Sequence, residues 1–243
     1  MYHLCVKNIG KQHFARSAIG AAAYRSGSRL VDEETGKVFD YRKKEVYRSE
    51  ILCANPEAFW AQDRQSLWSS VHHENTRKNA LYAKEIELAL PNKLSHEKKI
   101  ELTKQFVWEE IVSRYGVVAD IGWHNFEGEG SHNSHAHILI SVRPVENEGF
   151  GKRVSALAQR NFVFNIRKAW ADHANQYLSA AGLPLIDERS CLRQGRERRS
   201  VPMGYEAWAL EKKGERTRPG EEHRLFWEKG KRERPRECVE RER

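Results

Sequence analysis

The sequence predicts an α+β fold, and two observations lead to that class. Strand-like and helix-like runs follow one another along the chain. In addition, two strand-like runs flank residues 125–134, which are rich in Gly, Asn, Ser and Glu, as the loop of an antiparallel hairpin should be. At 243 residues, the chain can form one large domain or one domain with a small appendage.

The first predicted elements occupy the N-terminal third of the chain. Residues 2–8 alternate like a strand, and the Ala-rich run from Ser17 to Arg25 predicts a helix with Ser17 as its N-cap and Gly27 at its end. Residues 37–46 fit a hairpin arm or an ordered loop, and a helix is predicted over residues 56–78. Helical spacing of the apolar residues in this second helix predicts that they pack in the core: Phe59, Trp60, Leu67, Trp68 and Val71.

The remaining elements alternate in the same way. Residues 83–90 form a strand-like run that ends at Pro91, and Ser95 is placed to cap the helix that follows. After the two strands of the hairpin, a long helix is predicted over residues 159–181. Beyond Pro184 arginines cluster, and the last fourteen residues are mostly charged, which predicts a tail that is poorly ordered or ordered by a partner.

Composition limits the classes of partner and compartment. The net charge of +8 and the pI of 9.3 indicate a polyanionic partner, with nucleic acid as the leading candidate and a well-solvated surface as the alternative. No apolar run approaches the ~20 residues of a membrane span. Four scattered cysteines without Cys-x-x-Cys spacing indicate reduced thiols, and the N-terminus has no leader-like pattern, so the sequence predicts a cytoplasmic protein.

Histidines at the hairpin form the most informative pattern in the chain. On a strand, side chains two residues apart point to the same face, so His135 and His137 lie side by side. Antiparallel pairing would bring His124 next to them. Three imidazoles leave a divalent cation with open coordination positions, which suits catalysis better than a closed structural site. Chance proximity remains the alternative in a chain with 11 histidines.

Several segments together resemble the MobA/MobL (MobQ-type) conjugative relaxases. They are Ser17-Ala-Ile-Gly-Ala-Ala-Ala-Tyr-Arg-Ser-Gly27 with Asp40-Tyr41, then Lys84-Glu-Ile-Glu-Leu-Ala-Leu-Pro91, the hairpin, Arg167-Lys-Ala-Trp-Ala-Asp-His-Ala-Asn175 and Ile186-Asp-Glu-Arg-Ser190 with Gln194-Gly195. The likeness spans about residues 2–218. It implies the histidine-hydrophobe-histidine (HUH) endonuclease fold, with a central antiparallel sheet of about five strands flanked by helices. It also implies a catalytic domain over residues 1–186 and a basic C-terminal segment, partly family-like, over residues 187–243.

The resemblance further implies a reaction and its nucleophile. Relaxases of this family nick one strand of plasmid DNA at the origin of transfer (oriT), and Tyr24 falls at the position of the catalytic tyrosine. Attack by its phenolate on the phosphodiester would give a 5′-phosphotyrosine and a free 3′-OH, which allows rejoining. An ordinary tyrosine is protonated at neutral pH, so a cation or base must act on it. Its alternative role is packing in an amphipathic helix.

His124, His135 and His137 match the metal triad of the family, which implies one divalent ion, with Mn or Mg as first candidates and Ni, Zn or Co as alternatives. Where the family has a proline before the second histidine, this chain has Ser134, which bears on the rigidity of the loop. His132 is an additional loop histidine, either a solvent-exposed bystander or an alternative ligand.

Carboxylates and basic residues complete the predicted site. Glu85 or Glu87 could act as the general base or fix the tautomer of a ligand imidazole; Asp120 is a rival for the second role, and a solvated strand face is the alternative for all three. Basic residues near the motifs are candidates for phosphate contacts: Arg25, Arg29, Arg42, Lys43, Lys44, Arg143, Lys152 and Arg153. The segment after Ile186 could take part in recognising the origin sequence or hairpin.

Partners implied by the resemblance are single-stranded or hairpin oriT DNA, accessory mobilisation proteins and a type IV coupling protein. The protein would act in the bacterial cytoplasm and could travel with the DNA strand to a recipient cell. One alternative is a rolling-circle replication initiator or transposase of the same fold, although initiators generally carry the tyrosine C-terminal to the histidines. A non-catalytic DNA-binding module with a structural zinc or no metal is the other alternative.

Overall fold

The structure is a computed structural model, and it describes residues 2–10, 17–75, 77, 79–128, 133–189, 191–195 and 203–233. Contacts between residues divide the chain into two compact units, Met1–Glu188 and Arg189–Arg243. No helix within the described ranges is long and apolar enough to cross a membrane.

The strands of the first unit form one large antiparallel sheet and one small hairpin. In chain order they are β1 (Leu4–Gly10), β2 (Arg29–Val31), β3 (Val38–Asp40), β4 (Arg48–Leu52), β5 (Leu81–Ala89), β6 (Val117–His124), β7 (His135–Glu146) and β8 (Gly149–Phe150). The large sheet has the order β1-β5-β7-β6-β4, with β8 paired to β7, while β2 and β3 form the hairpin. The predicted central antiparallel sheet is therefore confirmed.

Helices pack on both faces of this sheet. The first unit contains α1 (Ala18–Ser26), α2 (Arg64–Glu74), α3 (His96–Val107), α4 (Ser113–Tyr115) and α5 (Arg160–Ala180); the second contains α6 (Tyr205–Lys212) and α7 (Arg218–Glu233). A π-helical turn over Trp108–Val112 joins α3 to α4. The Ser17 hydroxyl accepts a hydrogen bond from the Gly20 N–H, and Gly27 ends α1 with a φ of 64°, so both predicted caps of this helix are confirmed.

Alternation along the strands produces two separate cores. On one face of the sheet, Ile86, Ile138 and Ile121 pack with Phe106 of α3 and Trp170 of α5. On the opposite face, a second core holds Ala83, Val118 and Leu139 of the strands with Ala22 of α1 and Trp68 of α2. Near the C-terminal end of α1, Glu85 and His124 are buried, whereas Tyr24 on the helix remains exposed.

The long helix predicted over residues 56–78 is wrong in its extent. A 3₁₀ turn over Phe59–Ala61 comes first, and α2 begins only after Asp63, whose carboxylate accepts from the Ser66 N–H at 2.8 Å and so caps a new helix. Leu67, Trp68 and Val71 are buried as predicted, and Trp60 is partly buried. Phe59 is 76% exposed, which corrects its assignment to the core.

Strands β2, β4 and β8 are missing from the sequence-based prediction. Strand β4 lies at the edge of the sheet with β6 as its neighbour, and its sequence mixes Arg48, Ser49 and Glu50 with two apolar residues. The strand lacks a strict alternation because Ile51 packs against one core and Leu52 against the other, while its first three residues are polar. Strand β3 pairs with β2, which confirms residues 37–46 as including a hairpin arm.

The second unit is held by a polar contact between its two helices. Glu211 of α6 accepts a hydrogen bond from the Thr217 N–H at 2.6 Å and forms an ion pair with Arg224 of α7. Trp208 and Trp227 are both more than a third exposed on this unit. Most of the predicted arginine cluster after Pro184 and the charged residues 234–243 lie outside the described residues.

Candidate active site

Strand register places the predicted metal ligands on one face of the sheet. His124 on β6 pairs directly with His135 on β7, and His137 is flanked by Gly122 on β6 and Glu87 on β5. Directly opposed residues of antiparallel strands point to the same face. This face is the one that carries α1, so the histidines and Tyr24 meet on the same side of the sheet.

The three imidazoles pack against one another. Ring centroids are 5.5 Å apart for His124 and His135, 5.1 Å for His124 and His137, and 5.0 Å for His135 and His137. The structure thus brings together the three histidines that the sequence singles out. His132 lies outside the described residues.

Hydrogen bonds define which nitrogen of each imidazole carries the proton. His124 Nε2 donates to the Arg25 carbonyl, His135 Nδ1 donates to the Asn133 carbonyl, and His137 Nδ1 donates to the Glu85 carboxylate, each at 2.8 Å. In a neutral imidazole, the second nitrogen then keeps its lone pair. His124 Nδ1, His135 Nε2 and His137 Nε2 are therefore the nitrogens with a lone pair available to a divalent cation.

Burial keeps two of the imidazoles neutral. It lowers the pKa of His124 to about 3, with the positive charge of Lys44 adding to the effect. Burial also lowers the pKa of His135 from its ordinary value, despite the hydrogen bond to the Asn133 carbonyl. Neutral imidazole is the form that binds metals, so both side chains have the protonation state of a ligand at neutral pH.

Glu85 connects the histidine cluster to helix α1. It is buried; its Oε1 accepts from Arg25 Nε at 2.7 Å and from His137 Nδ1 at 2.8 Å, and its Oε2 pairs with Arg25 Nη2. Burial alone would raise the pKa of Glu85, but the hydrogen bonds from His137 and Arg25 hold it well below its usual range. This carboxylate is therefore ionised, and both of its oxygens are engaged by Arg25 or His137.

Glu87 lies on β5 directly opposite His137, and its ion pair with Lys7 is weaker than that of Glu85 with Arg25. Lys7 Nζ on β1 contacts Glu87 Oε2 at 2.7 Å, and the side chain of Lys7 is 43% exposed. Potential ligand atoms of Glu85, Glu87 and His137 lie within 4.8 Å of one another, which makes them a second possible donor set. A cation bound there would have to displace or oppose the charges of Arg25 and Lys7, which pair directly with these carboxylates.

Asp120 has a different environment from the one expected of an imidazole partner. Its two oxygens accept from Arg64 Nη2 and Nε at 2.9 and 2.8 Å, and Trp68 Nε1 donates to it at 2.9 Å. Because Arg64 and Trp68 both belong to α2, Asp120 anchors that helix on the sheet. Glu85 is the carboxylate that orients a histidine here.

Tyr24 and His137 line the same cavity. This cavity of about 530 Å³ is lined by Lys7, Tyr24, Arg25, Tyr41, Glu85 and His137 together with apolar and small residues of β1, β3 and α1. The Tyr24 side chain is 44% exposed. A substrate in the cavity could therefore touch both the phenol and an imidazole.

Gly122 is a site residue that sequence reasoning missed. A Cβ at this position would collide with the carbonyl oxygen of Arg25, the same atom that accepts from His124 Nε2. Glycine therefore allows the C-terminal end of α1, with Tyr24, to lie directly on β6. A glycine inside a strand and two residues before a candidate ligand is the signal that could have identified it.

Ser134 lies directly before β7, where the resemblance predicts a proline. Ser134 is buried, its carbonyl accepts from the Leu90 N–H at 3.0 Å, and its hydroxyl contacts Asn92 Oδ1 at 3.4 Å. Together with the bond from His135 to the Asn133 carbonyl, these contacts connect the start of β7 to the end of β5. The two residues directly before β7 are thus held by hydrogen bonds.

The basic residues proposed for DNA are distributed unevenly around the cavity. Arg25 and Lys44 lie at Tyr24, and the exposed Arg29, Arg42 and Lys43 belong to or follow the small hairpin, with Arg42 paired to Asp40 at 2.6 Å. Arg143 is six residues beyond His137, roughly 20 Å along the strand. It donates to the Gly151 carbonyl at 3.1 Å. Lys152 and Arg153 are exposed and follow β8 at that same distant end.

Comparisons with known proteins identify the family of the chain. The model of the MobA/MobL family matches residues 16–213. "Mobilization protein MobL" of Acidithiobacillus ferridurans is 34% identical over 230 residues, which cover 81% of this chain and 60% of that protein. "Conjugal transfer protein TraA" of Agrobacterium fabrum is 27% identical over 82% of this chain and 21% of its own length. The chain thus spans only part of these relatives.

Solved structures share the fold. One from work on the molecular basis of vancomycin resistance transfer in Staphylococcus aureus matches with a TM-score of 0.71 and 30% identity, covering 78% of this chain and 99% of that one. The metal-bound structure of the conjugative relaxase TrwC with oriT DNA matches with a TM-score of 0.51 and 13% identity over 93% and 96% of the two chains. The predicted relaxase fold is confirmed, and, with the family model matching most of its length, the chain belongs to the MobA/MobL family.

Proposed function

We propose that this protein is a mobilisation relaxase that nicks one DNA strand at an origin of transfer, with Tyr24 as the nucleophile. The observation that carries the proposal is that Tyr24 and His137 line one cavity, where His137 belongs to a cluster of three imidazoles. Relatives named as mobilization, relaxation and conjugal transfer proteins support the same function.

One divalent cation fits the histidine cluster, with His124 Nδ1, His135 Nε2 and His137 Nε2 as its ligands. When bound, such a cation polarises the non-bridging oxygens of the scissile phosphate and offsets the charge that develops in the transition state. Mn and Mg are our first candidates, and Ni, Zn and Co suit the same nitrogen ligands. Glu85 fixes the His137 tautomer and therefore acts on the cluster as a positioning residue.

Transesterification at Tyr24 conserves the number of phosphoester bonds. The phenolate oxygen forms a bond to phosphorus, the bond from phosphorus to the 3′ oxygen breaks, and that oxygen takes up a proton. The products are a 5′-phosphotyrosine and a free 3′-OH, so the reverse attack rejoins the strand. Because Tyr24 is 44% exposed, its phenolic proton can leave to solvent, and Glu87 is the nearby carboxylate with the weaker ion pair.

The DNA partner in this proposal is single-stranded or hairpin oriT DNA, with its backbone near Arg25, Arg29, Arg42, Lys43 and Lys44. We assign catalysis to residues 1–186 and a role in origin recognition to the segment that follows. Accessory mobilisation proteins and a type IV coupling protein complete the machinery that we expect, acting in the cytoplasm of the donor cell.

A labelled oligonucleotide that spans the cognate oriT tests the proposal. Wild-type protein with Mn²⁺ or Mg²⁺ should form an adduct that survives denaturing electrophoresis, and Tyr24→Phe should abolish it. Tyr47→Phe is the matched control, since Tyr47 is similarly exposed at 41%, and it should leave the adduct unchanged. An undiminished adduct with Tyr24→Phe would exclude Tyr24 as the nucleophile, and normal nicking by metal-free protein would exclude the role of the cation.

A further inference from the structure

Lys44 lies against the proposed nucleophile. Its Nζ is 3.4 Å from the centroid of the Tyr24 ring, and the same atom donates a hydrogen bond to the Tyr24 carbonyl at 3.2 Å. The ammonium therefore contacts both the side chain and the backbone of one residue. A cation this close to the face of an aromatic ring is attracted by the electron density of that face.

The turn that carries Lys44 is fixed to the end of α1. The backbone N–H of Lys44 donates to the Tyr41 carbonyl at 2.8 Å, and the Tyr41 N–H donates to the Ser28 carbonyl at 3.1 Å. The ring of Tyr41 meets that of Tyr24 edge-on, with centroids 5.2 Å apart. Tyr24 is thus held by an aromatic edge and a cation, both presented by one short segment after β3.

Lys44 keeps its positive charge at neutral pH, although its surroundings disfavour the charged form. The side chain is about half-buried, and burial, followed by the nearby charge of Arg25, lowers the pKa of Lys44 to about 8. The ammonium form therefore predominates at neutral pH. Because it is only partly hydrated, its attraction for the ring exceeds that of a fully exposed lysine, and it increases further when the phenol becomes a negatively charged phenolate.

We propose that Lys44 is a positioning residue, which holds the Tyr24 ring in place for attack and stabilises its phenolate form. This inference rests on the proposed function of Tyr24. It is a role additional to the phosphate contact proposed above for Lys44, because here the ammonium acts on DNA through Tyr24. The two roles predict different kinetic effects, since a positioning residue changes the rate at saturating DNA and a phosphate contact changes mainly the affinity.

Single-turnover adduct formation at saturating oriT oligonucleotide separates these roles. Lys44→Met, which keeps a similar chain without the charge, should lower the rate about 10- to 100-fold. The Kd for the uncleaved oligonucleotide should change less than about threefold, a small part of the electrostatic affinity. Lys44→Arg should restore most of the rate, because guanidinium also stacks on aromatic rings. Lys37→Met is the matched control: Lys37 lies over a different ring, Phe39, at 5.0 Å, and its loss should leave the rate unchanged.

Spectroscopy of the free protein gives a second readout that does not depend on cleavage. With ¹³C-labelled tyrosine and Tyr24→Phe for assignment, the Tyr24 ring resonances should shift in Lys44→Met and stay near their wild-type positions in Lys37→Met. The proposal is overturned if a folded Lys44→Met keeps the wild-type rate or the wild-type Tyr24 resonances, or if its whole defect lies in Kd. Absence of an adduct with wild-type protein would instead contradict the proposed function itself.

Discussion

Single residues at the site differ in what fixes their orientation. His124 and His135 donate to backbone carbonyls, which no side-chain substitution removes, whereas His137 donates to the Glu85 carboxylate. Glu85 is also the buried partner of Arg25, the residue after Tyr24. One carboxylate therefore orients a candidate ligand and holds the helix end that carries the candidate nucleophile.

Replacement of Glu85 by Gln should consequently affect both stability and metal binding. The amide of Gln is neutral, so the Arg25 guanidinium loses its buried counter-charge. In addition, the amide nitrogen cannot accept a hydrogen bond as the second carboxylate oxygen does. We expect a loss of about 3 kcal/mol in the free energy of unfolding, because one partner of a buried pair is removed. Mn²⁺ affinity should fall about 10-fold or more, as for other groups that orient a ligand. Urea unfolding and calorimetric Mn²⁺ titration measure these effects.

Glu87→Gln provides the comparison for that experiment. Its partner Lys7 is 43% exposed, so solvent screens the pair and the loss of stability should be below about 1 kcal/mol. Equal losses for the two variants would show that Glu85 has no special structural role. An unchanged Mn²⁺ affinity in Glu85→Gln would separate this residue from the histidine cluster.

The pH dependence of nicking also belongs to the residue scale. The Lys44 ammonium faces Tyr24, Arg25 and, at longer range, Glu85, His124 and His135, and burial, followed by the charge of Arg25, lowers its pKa to about 8. A lysine with a lowered pKa is charged below that value and neutral above it, so the cation over the ring is lost as pH rises through 8. Arginine stays protonated throughout this range. The ratio of the Lys44→Arg rate to the wild-type rate should therefore rise between pH 7 and pH 9.5, and a constant ratio would contradict a role for the charge.

Contacts between elements fix the distance from the nucleophile to the histidines. Helix α1 lies on β6 because residue 122 has no side chain, and the Arg25 carbonyl at that point accepts from His124. The site is thus assembled from a helix end and the β6–β7 hairpin, about 100 residues apart in sequence. Any group inserted between α1 and β6 separates Tyr24 from the imidazoles.

Gly122→Ala tests this close packing of helix on strand. The added methyl group collides with the Arg25 carbonyl, so α1 must shift, and we expect a loss of about 1–3 kcal/mol in stability. A displacement of Tyr24 on the order of 1 Å should lower adduct formation about 100-fold at saturating DNA. Gly149→Ala is the control, since a Cβ there meets nothing within 4 Å. Wild-type rates in both variants would show that α1 does not depend on this contact.

Local signals explain which elements the sequence predicted well. Caps at Ser17, Gly27 and Ser95 and the alternation in β5, β6 and β7 act within a few residues, so α1, α3 and the His hairpin were predictable. By contrast, the Asp63 cap interrupts a run that otherwise reads as one helix.

Local sequence patterns could not predict the long-range contacts within the site. The pairing of Glu85 with Arg25 joins residues 60 positions apart, and the His124 contact with the Arg25 carbonyl spans 99. Neither leaves a periodic signal in the sequence. The pattern near each residue could name Tyr24, Glu85 and the histidines as candidates, but the roles of Gly122 and Lys44 depend on how the elements pack.

At the scale of the whole molecule, the two faces of the central sheet differ in composition. The face covered by α3 and α5 is an apolar core, whereas the face under α1 and α2 changes from an apolar core at Val118 and Leu139 to the polar rows of Glu85, Glu87 and the histidines. The net charge of +8 gives the chain a long-range attraction for a polyanion.

Mapping of the covalent adduct tests the central claim most directly. Wild-type protein would be incubated with Mn²⁺ and an oriT oligonucleotide, digested with trypsin and nuclease, and analysed by tandem mass spectrometry. The account predicts a 5′-phosphonucleotide on the phenolic oxygen of Tyr24 and a free 3′-OH on the released strand. A nucleotide attached to any other residue, or a strand cleaved without a protein adduct, would contradict it.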